Sequence, residues 1–175
     1  MARSPAKVKF DWLHFGWSLL ILVVAVSYWL GMWAYVDVPM EYVGEIYFLV
    51  IPTLFLVLAS FAITPDVPLL GEFSVRAYYW KNRLAIFVPL AAMVTTSSVA
   101  DLVIVGIEKV GFGSLPFTIL TGLILVYLAF TKRVWFHALV LGSFSVAMLA
   151  YFFTEAAQID NSWQTKLSSR GRFRA

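Results

Sequence analysis

The 175 residues contain no cysteine. That excludes disulfides, thiolate metal sites and cysteine nucleophiles, and it leaves the redox compartment unreadable from cysteine usage. Charge is scarce too: 13% of residues are Asp, Glu, Lys or Arg, against roughly 25% in soluble domains. With 61% hydrophobic residues, gathered in long runs rather than at amphipathic spacing, water is not the main solvent. A soluble globular domain is excluded. The sequence also lacks an HExxH pair, a Ser–His–Asp arrangement, a phosphate-binding glycine loop and paired carboxylates at a reaction centre. These absences lower the expectation of an enzyme, and nothing in the pattern calls for nucleic acid. No fixed-period repeat or low-complexity segment stands out, so one membrane domain is the natural unit.

What is present is apolar length. A bilayer core needs roughly 20 apolar residues in a helix, and five stretches meet or approach that, at about residues 13–35, 47–63, 84–107, 114–130 and 134–153. Helices follow because every backbone N–H and C=O in lipid must be satisfied within its own segment. The pattern therefore predicts an all-α integral membrane protein, a bundle of five transmembrane helices with short loops. The N-terminal run is too long for the apolar part of a secretory signal, and Tyr28–Trp33 offers no small-residue cleavage site, so it reads as a retained first span. Pro52, Pro89 and Pro116 fall near the starts of their spans, where a missing N–H costs least. Aromatic residues crowd the ends of the spans as an interfacial belt.

Basic residues orient the spans. Arg3, Lys7, Lys9, Arg76, Lys81, Arg83, Lys132 and Arg133 fall on one side; the other side holds Lys109 and, within reach of the last span, Lys166. The excess of Lys and Arg on the cytoplasmic side predicts a cytoplasmic N-terminus and an outer C-terminus. The segment 66–82 reads as a membrane-surface elbow, with Tyr78, Tyr79, Trp80, Lys81 and Arg83 as interfacial anchors. Residues 154–175 read as a basic, mobile tail.

Four constellations carry whatever chemistry the chain has. In the third span Ser97, Ser98, Asp101 and Glu108 fall at spacings of three, four and seven, and so share one helix face. An acid near a helix centre costs about 2.5–3.5 kcal/mol on insertion scales, which turns it toward a protein interior or a water-filled cavity. Counted back from Ile107, Asp101 is about 9 Å from the outer boundary. A structural or interfacial role is the favoured account, and proton or cation handling the alternative. His14 and His137 open the first and fifth spans at one depth, where two imidazoles would ligate haem or another tetrapyrrole; interfacial histidine without a cofactor is the preferred reading. Asp37, Glu41 and Glu45 at four-residue spacing would align on a helix and offer hard oxygens to a divalent cation, but Pro39 interrupts them and a solvated acidic loop is expected, so no metal is expected. Ala138, Gly142 and Ser145 line one side of the fifth span, where small residues let helix backbones approach.

The run IPTLFLVLASFAITPDVP followed by VRAYYWKNR resembles a pattern in uncharacterised small multi-pass inner-membrane proteins of bacteria. The resemblance implies a bacterial plasma membrane, and no activity or site residues. From all of this the expected function is non-catalytic: an accessory, assembly or scaffolding subunit of a larger membrane complex, with the bilayer and other membrane subunits as partners. A small proton- or cation-linked transporter or channel component using Asp101 is the runner-up, and a tetrapyrrole- or quinone-binding redox subunit the third reading.

Overall fold

Asp11 starts the first helix by accepting the backbone N–H of His14 on its side chain at 3.0 Å, an N-cap that satisfies one of the donors every helix start leaves open. The computed structural model describes residues 7–35, 43–67, 72–104 and 114–171. Helix α1 is Trp12–Gly31 and runs into a 3₁₀ turn, Met32–Tyr35. Then come α2 (Val43–Ile63), α3 (Val75–Ile104), α4 (Ser114–Phe130) and α5 (Val134–Gly171). Four helical stretches, Trp12–Gly31, Gly44–Ile63, Val75–Ile104 and Val134–Phe153, are long and apolar enough to cross a membrane, and Leu115–Phe130 is a shorter apolar helix.

The helix bounds depart from the apolar runs where backbone and hydropathy obey different rules. α3 begins at Val75 rather than Leu84, and takes the YYWKNR segment into its first turns instead of leaving it as a separate elbow. Ser74 caps this start, its hydroxyl accepting the N–H of Ala77 at 3.3 Å. No glycine or proline breaks the chain from there to Pro89, so charge at Lys81 and Arg83 ends the hydropathy signal without ending the helix. At the other extreme α5 does not stop at Phe153 but continues in helix to Gly171, because TEAAQIDNSWQTKLSSR contains neither breaker. Pro52 is not near a helix start, since α2 begins at Val43. Inside a helix a proline removes the bond to the carbonyl four residues back, here that of Phe48. One residue on, the Leu49 carbonyl receives the Tyr28 hydroxyl at 3.0 Å and the Thr53 hydroxyl at 3.2 Å, the kind of side-chain support that makes an intrahelical proline tolerable in lipid.

The chain forms two compact units, Met1–His137 and Ala138–Ala175. In the first, α3 is the hub: it packs chiefly against α2 and α4, and α1 packs against α2 and α3. Trp17, Tyr79, Ile86, Phe87 and Leu128 form its most buried layer, with Trp17 and Phe87 edge to face at 4.8 Å. Away from that layer Leu22, Leu54, Phe61, Phe117 and Leu123 are more than half exposed, the outward apolar surface of helices made for lipid or for other apolar surfaces. The second unit is α5 from Ala138 onward.

One element has no counterpart in the hydropathy pattern. β1 (Lys7–Lys9) and β2 (Glu72–Ser74) pair in parallel, with Val8 opposite Phe73. Lys9 Nζ meets Glu72 Oε2 at 2.7 Å across the pair. Arg76 Nε lies 3.9 Å from Asp11 Oδ2 just beyond it. Three residues are too few for alternation to announce a strand.

Candidate functional site

The polar side chains of the first unit collect at its two ends. One end gathers the start of α1, the end of α2, the start of α3 and the α4–α5 turn around two histidines. His14 is 8% exposed and its Nε2 lies 2.7 Å from the carbonyl oxygen of Ile63. A carbonyl only accepts, so Nε2 carries the proton. Tyr78 donates its hydroxyl between the carbonyls of Ala62 and Thr64, 3.0 Å from each. These carbonyls belong to the last turn of α2 and the residue after it, where the helix supplies no partner and Pro65 brings no N–H. Side chains of α1 and α3 thus cap the C-terminus of α2.

His137 sits deeper, with 0% exposure. Its Nε2 lies 3.2 Å from the Thr131 carbonyl and its Nδ1 2.7 Å from the Tyr79 hydroxyl. The first partner requires Nε2–H, so Nδ1 holds a lone pair and Tyr79 donates to it. The ring is thereby a neutral bridge between α3 and the turn that opens α5. Tyr79, Trp80 and Phe87 surround it edge-on at 5.7, 4.9 and 5.4 Å between ring centres. Tyr79 also stands edge-on to His14 at 6.3 Å. The two imidazoles therefore meet the same tyrosine. Both nitrogens of His137 are engaged within the chain, so ligation of a metal by this ring would require breaking one of those bonds.

The other end holds Asp101. Tyr35, at the close of the 3₁₀ turn, donates its hydroxyl to Asp101 Oδ1. Ser98 donates instead to Thr118 of α4 at 3.0 Å. Ser97 lies beside the Tyr28 hydroxyl. Thr95 and Thr96 are spent on their own helix, bonding the carbonyls of Ala91 and Ala92 at 2.9 and 2.7 Å, as hydroxyls inside a helix commonly do. The polar run of α3 is thus divided between α4 on one side and the α1 end on the other. Glu108 lies outside the described residues, as do Asp37 and Glu41; Glu45 is in the first turn of α2, where a carboxylate complements the helix dipole. Among the described residues no group of three or more His, Asp or Glu is placed to hold a metal ion.

Of the five residues read as interfacial anchors, Lys81 is exposed, while Tyr78, Trp80 and Arg83 are half-buried and Tyr79 is 0% exposed. Arg83 donates from Nη1 to the Trp80 carbonyl at 2.6 Å. On α5 Ala138 and Ser145 are half-buried and Gly142 is exposed. The sequence singles out both histidines and Asp101, but it marks Tyr79 as an interfacial anchor rather than as the partner of His137, and Tyr35 not at all. Tyr79 is eight positions before Phe87, and Trp80 seven before it, so all three fall near one helix face; that spacing was the available signal for an inward-facing Tyr79. Tyr35 had none.

No family model matches the chain, and no curated protein or solved structure matches it.

Proposed function

We propose that this chain is an integral membrane protein of five spans, N-terminus inside and C-terminus outside a bacterial plasma membrane, acting as a non-catalytic scaffolding or accessory subunit of a larger membrane complex. The observation that carries this reading is how the buried polar groups are used. His14, Tyr28, Tyr78 and His137 bond backbone carbonyls of other segments, and Tyr35, Ser98 and Tyr79 bond side chains of other helices. In lipid such groups are costly unless paired, and here they work as clamps between elements. A chain that spends its polar chemistry on holding itself together, and turns apolar and aromatic surface outward, is suited to being built against. The Tyr35–Asp101 bond supports a structural role for that acid in place of ion handling.

The reading is tested by purifying the affinity-tagged chain from native membranes in a mild detergent after in-cell crosslinking. A stoichiometric partner chain, retained without crosslinker and joined to this one with it, is the expected result. A monodisperse monomer without crosslinked species counts against it.

A further inference from the structure

The charges at the histidine end are unevenly balanced. Lys9 and Arg76 face Glu72 and Asp11, and Asp66 lies near Tyr78. Lys81, Arg83, Lys132 and Arg133 are different: among the described residues no carboxylate lies within ion-pair distance of any of them. Arg83 is the telling member. It is half-buried, fixed by one bond from Nη1 to the Trp80 carbonyl at 2.6 Å, and its Nε is buried without a hydrogen-bond partner among the described residues. A guanidinium carries five N–H donors and stays charged, so one neutral carbonyl leaves it under-compensated, and leaving a charged donor so is expensive.

The α4–α5 turn brings two more cations to the neighbourhood of His137. Trp80, which anchors Arg83, stands 4.9 Å edge-on to His137. His137 is bonded by its ring to Thr131 and by its backbone N–H to the Arg133 carbonyl, 3.3 Å away, and the Arg83 charge acts on the same imidazole. Lys132 and Arg133 are exposed beside it, and Trp135, the second residue of α5, is 60% exposed. Arg83, pre-positioned by a backbone bond in the third turn of α3, and the cations of the α4–α5 turn thus both adjoin His137, with indole rings of the type that settles at headgroup depth nearby.

We infer that Arg83, Lys132 and Arg133 form a binding site for the phosphate of an anionic phospholipid. Arginine's planar fork suits phosphate oxygens, two flanking cations add long-range attraction, and basic pockets between spanning helices hold anionic headgroups in this manner. The lipid is favoured over free phosphate because an exposed indole beside the cations gives acyl chains and glycerol a surface to lie on. The inference rests on the membrane reading and not on any partner subunit.

The test is native mass spectrometry of the full chain, released from detergent containing equimolar phosphatidylglycerol and phosphatidylcholine. Carbonate extraction of the source membranes separately checks that the chain is embedded in them. The wild type should retain one phosphatidylglycerol with about tenfold preference, equivalent to roughly 1.4 kcal/mol. Arg83→Gln and the double variant Lys132→Gln/Arg133→Gln should bring the preference to near unity, whereas Lys9→Gln should keep it. Should Arg83→Gln fail to fold, the exposed double variant decides. Equal retention of both lipids by the wild type overturns the site, as does a preference that survives in the double variant. Displacement of the lipid by millimolar inorganic phosphate would assign the site to a free anion instead.

Discussion

Tyr79 donates its hydroxyl to His137 Nδ1 over 2.7 Å, and both side chains are fully buried. The bond joins α3 to the first turn of α5 through an imidazole whose other nitrogen is already committed to Thr131. Removing the hydroxyl leaves a buried lone pair with nothing to accept. Tyr79→Phe should therefore lower stability by about 0.6–2 kcal/mol, the range for such bonds in membrane proteins. Unfolding in detergent, followed by tryptophan fluorescence, measures this. The double variant Tyr79→Phe/His137→Phe should cost less than the two single changes summed, because each single change strands the other's partner. Additive losses would mean the pair is not coupled.

Tyr35 and Asp101 make a second coupled pair, between the end of α1 and the end of α3. If Asp101 is a structural acceptor, Asp101→Asn keeps an oxygen for Tyr35 and should be tolerated far better than Asp101→Leu. Tyr35→Phe should erase most of the difference between those two variants. A full difference persisting in the Tyr35→Phe background would give Asp101 another task.

Gly122 offers a test of packing free of polar chemistry. It is buried in α4, and a Cβ built there would meet only the Thr95 hydroxyl, at 3.5 Å, an ordinary contact. Gly122→Ala should stabilise α4 by about 0.4–1 kcal/mol by restricting the unfolded chain. Gly122→Leu has no such room and should destabilise. The same unfolding measurement reads both.

The Lys9–Glu72 contact is short, but the two side chains are 66% and 67% exposed. Exposed pairs contribute about 0–1 kcal/mol and are screened by salt. Glu72→Gln should shift the unfolding midpoint little, and not measurably at high ionic strength.

Orientation is directly accessible because the chain has no cysteine of its own. With the N-terminus inside, Gly44→Cys should react with an impermeant maleimide in intact cells. Lys132→Cys should react only after the membrane is opened. The reverse pattern would invert the topology.

How much of this could be read from the residues follows from which forces leave a local trace. Apolar length does, so Ser114–Phe130 falls where the run of apolar residues placed it. Termination of a helix by proline is equally local, and α2 ends at Ile63 just before Thr64-Pro65. Hydropathy fades at charges that a helical backbone ignores, which is why α3 starts at Val75 and α5 continues to Gly171. At the sites the individual residues were legible and their partners were not. His14 bonds a carbonyl 49 positions away, and Asp101 a tyrosine 66 away; no spacing rule operates over such distances. A backbone carbonyl such as that of Ile63 or Thr131 is invisible in any residue pattern, since every residue has one.

The small parallel pair of β1 and β2 imposes an order of events on synthesis. Lys9 and Glu72 are 63 positions apart, with the whole α1–α2 hairpin between them. The N-terminal strand leaves the ribosome first, yet it has no partner until the chain has turned back twice and delivered residues 72–74. A parallel pair cannot be closed by a tight turn, so this pairing forms only when both helices are in place. It acts as a latch that closes after the hairpin is complete, and a ribosome stalled before Glu72 would expose Lys7–Lys9 as an open edge.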